Sequence, residues 1–338
     1  MPGAGIVSYG LYVPRPVEDA STIAHRFHIP VDVVIRKQGI RRKHIAPPNV
    51  MPSHMGLRAS RVALARAKEL GIDRSDIGLV VFCGSMWKDY HIWLLSTYLQ
   101  DRLGIPECFA FDMSAMCAGM VFGLATAKSF LAGQPDLRAI LLIGASKESC
   151  ILRPSDVTSR WMNNFADAGV AVVVARDVSK NLILGSDFLS DGSLSMSPVE
   201  KGGGARYPAY AAYARAGQVF AENLVPEKKF RTRMDAVSLP NFVRVIHRSM
   251  AKSGLSPDDI RMVFINHMKR SFHQAILKGI GIPEERSLYL EEYGHSQSAD
   301  QILELDLAVS SGRLTEGPVV MAAAGSGFVW GSTVVRWG

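Results

Sequence analysis

Cysteine is scarce in this chain of 338 residues: only four are present, and none lies in a CxxC pair or at a regular spacing. This scarcity argues against a disulfide framework or a zinc site and fits reduced thiols. We expect no apolar run to reach the roughly 18 to 20 residues that span a bilayer. The first residues also lack the basic and apolar regions of a signal peptide. The sequence therefore predicts a cytoplasmic protein with no membrane partner.

The fraction of charged residues is modest as well. Charged residues make up 20% of the chain and hydrophobic residues 48%, a balance that is typical of globular proteins and argues against disorder. The formal net charge of +7 suits anionic partners, such as CoA phosphates or an acidic carrier protein. Two basic runs, residues 36–43 and 228–233, are short and are not interleaved with aromatic residues, so we expect no nucleic-acid partner. The histidines outside the candidate site lack metal-ligand spacing, and we expect no metal.

The sequence contains an internal duplication. Residues 71–82 resemble residues 254–265, and residues 104–107 resemble residues 281–284. The two matches keep the same order, with offsets of 183 and 177 residues. This pattern predicts two halves of similar fold.

We place the boundary between the halves at residues 178 and 179, so that 1–178 and 179–338 form the two units. Short β-rich runs in both halves are apolar throughout, as is typical of strands that helices cover on both faces. These runs are residues 79–82, 139–143, 170–174, 262–265, 319–323 and 332–335. Helical patterns lie between them at 56–70, 117–131, 242–253, 271–279 and 298–310. The sequence thus predicts a layered α/β fold that is built twice.

Cys117 is the strongest candidate for a reactive residue. It follows a strand-like run at 109–111 and a few small residues, and a long apolar helical pattern follows it from Ala118. This order places a thiol at the first turn of a buried helix, where unpaired N–H groups and the helix dipole favour the thiolate. A thiolate there suggests acyl-enzyme chemistry. The alternative is an inert core cysteine.

The duplication also predicts which residues of the second half face Cys117. An offset of 178 residues leads from Cys117 to His295, and an offset of 183 leads from Gly84 to His267. Both counterpart loops therefore carry a histidine. If the halves are related by a pseudo-twofold axis, the cysteine and both histidines converge on one pocket.

Four motifs resemble the ketoacyl-acyl-carrier-protein synthase III branch of the thiolase-fold condensing enzymes. Residues 39–46 (GIRRKHIA) resemble GIRERHIA, and residues 110–119 (AFDMSAMCAG) resemble AFDVxAACAG. Residues 165–169 (FADAG) and 325–332 (GSGFVWGS) resemble FGDGAG and GGGFTWGS. The resemblance covers nearly the whole chain. It implies a thiolase-like, five-layered αβαβα fold and a homodimer.

The resemblance also implies a catalytic set of Cys, His and Asn. Cys117 matches the nucleophile and His267 the histidine, whereas His295 stands where the family has asparagine. A neutral imidazole has one N–H donor, so His295 is able to stabilise an enolate, and it is equally able to act as a general base. A histidine that merely fills the space is the third interpretation. The backbone N–H groups of Cys117 and Ser326 match the oxyanion hole.

The substrate side departs from the family pattern. Val33 replaces a tryptophan that stacks on the CoA adenine, and Lys37 replaces an arginine that contacts the nucleotide. Arg160, Lys269 and Arg270 are further candidates for binding the substrate or its carrier, although Lys269 and Arg270 equally suit a solvated surface. We expect no bound cofactor, and the substrate is an acyl-CoA or an acyl-carrier-protein thioester. The aromatic stretch 86–93 suits an unusual acyl pocket or a subunit interface.

Three functions are consistent with these patterns. The first is decarboxylative condensation of an acyl-cysteine with a malonyl-type extender, in a fatty-acid or polyketide type of pathway. The second is transfer of the acyl group to an oxygen, nitrogen or carrier-thiol acceptor without decarboxylation. The third is a non-catalytic subunit that binds a carrier protein.

Overall fold

The computed structural model describes residues 3–152, 162–200, 205–206, 221–222 and 224–338. The strands are β1 (Gly3–Tyr12), β2 (Val17–Asp19), β3 (Arg42–His44), β4 (Ile77–Phe82), β5 (Phe109–Asp112), β6 (Ala139–Ser146), β7 (Ala168–Val178), β8 (Leu182–Ser190), β9 (Val199–Glu200), β10 (Ala221–Glu222), β11 (Met262–Ile265), β12 (Gly317–Gly325) and β13 (Val329–Trp337). The α-helices are α1 (Ala20–Phe27), α2 (Pro52–Glu69), α3 (Leu95–Leu103), α4 (Gly119–Gly133), α5 (Glu227–Lys252), α6 (Arg270–Ile280) and α7 (Asp300–Ser310). A π-helix covers Val33–Gln38.

Within the described residues, nine strands form one mixed sheet in the order β11-β12-β13-β8-β1-β7-β6-β4-β5. At one end β5, β4 and β6 run parallel, and at the other β11 and β12 run parallel. The join in the middle is narrow, because β1 and β8 share a single residue pair, Gly5 with Leu182. The sheet is therefore two sub-sheets that meet at β1 and β8. The boundary drawn from the sequence at 178 and 179 falls between β7 and β8.

Helices cover both faces of each sub-sheet. An outer layer of α2 and α3 packs on the first sub-sheet, and an outer layer of α5 and α6 packs on the second. The middle layer is α4 with α7, whose apolar side chains contact strands of both sub-sheets. The predicted five-layered αβαβα arrangement of the thiolase-like fold is confirmed.

Strand β6 illustrates why the strand sequences are apolar throughout. All eight of its residues are buried. Ile140 and Leu142 pack into the middle layer, whereas Leu141 and Ile143 pack into the outer layer. Because successive side chains of a strand point to opposite faces, a strand between two helical layers needs apolar residues at every position.

The structure corrects two expectations. Helix α5 begins at Glu227 rather than near Phe242, and it continues through Pro240, a residue type that usually ends or kinks a helix. Within the described part of the chain, one run, Met116–Gly133, is long and apolar enough to cross a membrane by length and composition, whereas the sequence indicated none. Half of this run is buried inside the molecule, and it contains α4, a helix of the middle layer.

Candidate active site

Cys117 lies where β5 passes into α4. A single 3-10 turn, Met116–Ala118, joins the two elements and starts with Met116 in the left-handed region at φ +50°. Gly119 permits the close approach of α4 to the end of β4, because a Cβ atom there would lie 2.0 Å from the carbonyl oxygen of Cys83. The thiol is buried, with 7% of the residue exposed. Its position next to the N-terminus of α4 favours negative charge on the sulfur.

His295 contacts the sulfur directly. Its Nε2 lies 3.2 Å from Cys117 Sγ, and its Nδ1 lies 2.6 Å from Oδ2 of Asp300. Burial alone would lower the pKa of His295, but the Asp300 carboxylate and the Cys117 sulfur together raise it well above its ordinary value. This shift favours the imidazolium form, and an imidazolium that donates to the sulfur stabilises a thiolate.

Asp300 organises this part of the site. It is fully buried at the first position of α7 and accepts hydrogen bonds from three groups. Besides His295 Nδ1, these are the backbone N–H groups of Ser296 at 2.7 Å and of His267 at 2.8 Å. The first turn of a helix favours a carboxylate, and these bonds fix both histidine-bearing segments. Sequence reasoning missed Asp300, and the available signal was an acid five residues after His295 at the start of a helical pattern.

His267 lies beside this pair, but its ring bonds elsewhere. Nε2 donates to the carbonyl oxygen of Gly39 at 3.2 Å, and Nδ1 accepts from the side-chain amide of Asn164 at 3.1 Å. Burial lowers the pKa of His267 to about 4, so the ring is neutral near pH 7. Among the described residues, no hydrogen bond joins this ring to Cys117 or His295. Asp300 links the two histidines, and Asn164 does so as well, since its carbonyl oxygen accepts from the His295 backbone N–H and its side-chain amide donates to His267.

Gln297 is a further residue at the sulfur that the sequence did not single out. Its side-chain Oε1 lies 2.8 Å from Cys117 Sγ. The residue is buried and begins the one-turn helix Gln297–Ala299, which leads into α7. The segment after Gly294 thus supplies two polar groups to the nucleophile.

Glu148 is a buried carboxyl group whose charge would act on His295. It accepts a short hydrogen bond from the hydroxyl of Ser146 at the end of β6. Burial raises the pKa of Glu148 to about 8, so the group is largely protonated at neutral pH. Glu148 therefore adds little negative charge near His295 at neutral pH.

Ser326 lies in the tight turn between β12 and β13. The left-handed position of this turn is Gly327, at φ +138°, and Ser326 is not among the residues with positive φ. The serine is therefore free of the backbone strain that a left-handed position would impose. Gly325 allows the turn to lie close to the segment before Cys117. A Cβ atom at this position would lie only 2.3 Å from the carbonyl oxygen of Ala115.

The basic residues expected to bind the substrate or its carrier lie in different parts of the structure. Lys37 is exposed in the π-helix, and Lys269 directly precedes α6. Arg270 pairs with Glu284 at 2.9 Å and with Glu291 at 3.4 Å, so part of its charge is already neutralised. Arg160 lies outside the described residues. Within the described part of the chain, no group of three or more side chains is arranged to hold a metal ion.

Two family models match the chain. The model of 3-oxoacyl-[acyl-carrier-protein (ACP)] synthase III matches residues 111–192, and the model of the C-terminal part of that family matches residues 250–337. The first match contains Cys117, and the second contains both histidines and Asp300.

Individual proteins are similar over nearly the whole chain. The beta-ketoacyl-[acyl-carrier-protein] synthase III of Bradyrhizobium sp. (strain BTAi1) is 30% identical over 98% of this chain and 98% of its own. The enzyme of the same name from Rhizorhabdus wittichii is 28% identical over 99% of both. The solved structure of 3-oxoacyl-[acyl-carrier-protein] synthase III from Aquifex aeolicus superposes with a TM-score of 0.84 at 22% identity, over 99% of this chain and 100% of that one. The priming beta-ketosynthase of the R1128 polyketide pathway gives 0.85 at 23% identity, over 99% and 96%.

Proposed function

Because the chain belongs to the 3-oxoacyl-[acyl-carrier-protein] synthase III family of acyltransferases, we propose that it forms an acyl-enzyme at Cys117 and condenses this acyl group with a malonyl-type extender. One observation carries the proposal. The sulfur of Cys117 lies 3.2 Å from an imidazole whose other nitrogen is held by a buried carboxylate. That arrangement supplies a nucleophile, a proton donor and a group that orients the donor.

In the acylation step, the Cys117 thiolate attacks the carbonyl carbon of an acyl thioester. The new carbon–sulfur bond forms a tetrahedral oxyanion, which the backbone N–H groups of Cys117 and Ser326 stabilise. The bond to the carrier sulfur then breaks, and His295 gives its Nε2 proton to the leaving thiolate. The products are the acyl-cysteine, a free carrier thiol and a neutral His295.

In the condensation step, a malonyl thioester loses CO2 and its α-carbon attacks the acyl-cysteine carbonyl. After acylation His295 keeps its proton on Nδ1, against Asp300, so Nε2 takes up a proton from water. Negative charge develops on the thioester oxygen, and the His295 Nε2–H is placed to stabilise it. His267 is the proposed second donor. This role requires its Nε2–H to leave the Gly39 carbonyl oxygen that it contacts in the free protein. The Cys117 thiolate is released when the new carbon–carbon bond is complete.

The proposal is tested by supplying an acyl thioester together with a malonyl thioester and measuring CO2 and product. We expect one CO2 for each β-ketoacyl product formed. Acyl transfer to Cys117 without CO2 release from any malonyl donor contradicts the condensation.

The second candidate function is acyl transfer to an alcohol or amine, and the His295–Asp300 pair favours it. After acylation His295 is neutral, and Asp300 stabilises the imidazolium that forms when the ring takes a proton from an acceptor. In this reaction the acceptor oxygen or nitrogen attacks the acyl carbonyl and the Cys117 thiolate leaves. Product formation without any malonyl donor distinguishes it from condensation.

We propose a CoA or acyl-carrier-protein thioester as the acyl donor. Lys37, Arg160, Lys269 and Arg270 are the proposed contacts to its anionic part, with Arg270 the weakest because of its ion pairs. The half-buried Val33 offers no ring to stack on adenine, which supports a carrier protein over free CoA. The four cysteines, all among the described residues, are free thiols, in keeping with the proposed cytoplasmic location.

We also propose a homodimer that forms at the outer edge of β5. Strand β5 is the last strand of the sheet, and its Phe109 is 64% exposed. The loop between β4 and α3 adds four exposed apolar side chains, Met86, Tyr90, Ile92 and Leu94. An unpaired edge beside an apolar patch is a surface that a second copy is able to cover.

Replacing Phe109 and Ile92 together by glutamate is expected to convert the dimer into monomers, because two like charges would then face each other across a twofold interface. Sedimentation velocity measures the change in mass. Leu70→Glu is the matched control, since Leu70 is as exposed as Phe109 at 64% but follows α2. A dimer that survives the double substitution contradicts this interface.

A further inference from the structure

Gln297 provides a polar contact to the nucleophile that is additional to His295. Among the described residues, its side chain makes one hydrogen bond, from Cys117 Sγ to Oε1 at 2.8 Å. Its backbone has φ +58°, which residues other than glycine rarely adopt. Such backbone conformations cost free energy, and they persist where the surrounding structure imposes them. Here the strained residue is one of the two whose side chains contact the sulfur.

The contact has a consequence for the charge of the sulfur. A thiol donates its proton to Oε1, but a thiolate has no proton to donate. Asp300 holds His295 as an imidazolium whose Nε2–H donates to the sulfur, which favours the thiolate. An amide oxygen 2.8 Å from that anion would be repelled. A half-turn about χ3 exchanges Oε1 for Nε2, and the amide N–H then donates to the thiolate.

We propose that Gln297 is a catalytic residue whose side-chain amide donates a hydrogen bond to the Cys117 thiolate and, after acyl transfer, to the carbonyl oxygen of the acyl-cysteine. The second part rests on the proposed function. The carbonyl oxygen of a thioester is bonded to the carbon next to the sulfur, so a donor at hydrogen-bond distance from the sulfur is also within reach of that oxygen. Polarising this carbonyl assists attack by the acceptor in either candidate reaction.

Among the described residues, three ionisable groups act on the Cys117–His295 pair. Asp300 contacts His295, the charge of Glu148 would act on His295, and His267 shares Asp300 through its backbone N–H. A fourth, Glu304, interacts with Asp300, and burial and the Asp300 charge raise the pKa of Glu304 well above its ordinary value, which favours its neutral form. Burial raises the pKa of Glu148 to about 8 and lowers that of His267 to about 4. Between about pH 5 and 7 both of these groups therefore stay neutral. A change in thiol reactivity within that interval reports on the sulfur and His295.

The test is the pH dependence of Cys117 alkylation by iodoacetamide, followed by mass spectrometry, in Gln297→Leu and Gln297→Asn. Removing a hydrogen bond to a charged group is expected to raise the midpoint of this profile by about one pH unit and to slow acylation by an acyl thioester about tenfold. Asparagine tolerates the left-handed backbone and keeps an amide, but its side chain is one methylene shorter. Gln297→Asn therefore tests whether the amide must reach the sulfur, in a variant that keeps the backbone conformation of residue 297.

Gln301→Leu is the matched control. Gln301 is also buried and lies four residues after Gln297. Its side-chain amide donates to the Ala322 carbonyl oxygen at 3.1 Å and does not contact the sulfur. It is expected to retain the wild-type profile. If both Gln297 variants fold and keep the wild-type midpoint and acylation rate, the proposal is wrong. Alkylation needs no acyl donor, so failure of every thioester to label wild-type Cys117 contradicts the proposed function and leaves the midpoint test of Gln297 intact.

Discussion

Cys117→Ala is expected to abolish product formation and acyl labelling, with a fall in turnover of about 10,000-fold or more, because no other group can carry the acyl chain through the reaction. The substitution removes one sulfur from a buried position between α4 and the His295 loop, and alanine fits this space. Turnover with an acyl thioester and the intended acceptor measures the effect.

The control for this prediction is Cys150→Ala. Cys150 is an exposed free thiol whose sulfur accepts from the Trp87 indole N–H at 3.0 Å and makes no hydrogen bond to His295 among the described residues. This variant is expected to keep wild-type turnover. Comparable losses in both variants, or residual turnover of Cys117→Ala near the wild-type rate, contradict a role for Cys117 as the nucleophile.

Asp300→Asn is expected to lower the rate of Cys117 acylation by about 100- to 10,000-fold, the range expected when a histidine loses its orienting carboxylate. The substitution keeps the shape of the side chain but removes the negative charge that raises the pKa of His295. Without it, burial lowers that pKa, the ring becomes neutral at neutral pH and the thiolate loses its cationic partner. The pH profile of Cys117 alkylation is therefore expected to move to higher pH.

Asp306→Asn is the control on the same helix. Asp306 lies in α7 beyond the buried first turn and interacts with Tyr9. It is expected to leave acylation unchanged. Because Asp300 also accepts from the backbone of His267 and Ser296, the thermal midpoint of each variant is measured alongside. A folded Asp300→Asn protein that acylates at the wild-type rate contradicts the assigned role of Asp300.

The sequence contained more information about the architecture than about the site. Apolar runs such as β6 predict strands between two helical layers, because every position must be buried. Repetition at nearly constant offsets predicted two related halves and led from Cys117 to His295, whose side chains lie 3.2 Å apart. The first inference uses a local pattern of the sequence, and the second uses a repeat within it.

The remaining features of the site depend on contacts between distant segments. The orientation of the His267 ring is set by Gly39 and Asn164, which lie far from it in sequence. The importance of Asp300 and Gln297 follows from where the short segment after Gly294 lies relative to α4. An acid and an amide near a histidine are common in sequences, so the acid five residues after His295 was too unspecific a signal to single out Asp300, and Gln297 had none. The fold brings Gln297 to the sulfur and Asp300 to His295.

The central claim is that Cys117 receives an acyl group from a thioester. The most direct test is to incubate the wild-type protein with a panel of acyl-CoA and acyl-carrier-protein thioesters and to determine the mass of the peptide that contains Cys117. We predict that at least one thioester adds the mass of its acyl group to this peptide alone, and that hydroxylamine removes it. An unmodified Cys117 peptide with every thioester of the panel contradicts the account and favours a subunit that only binds a carrier protein.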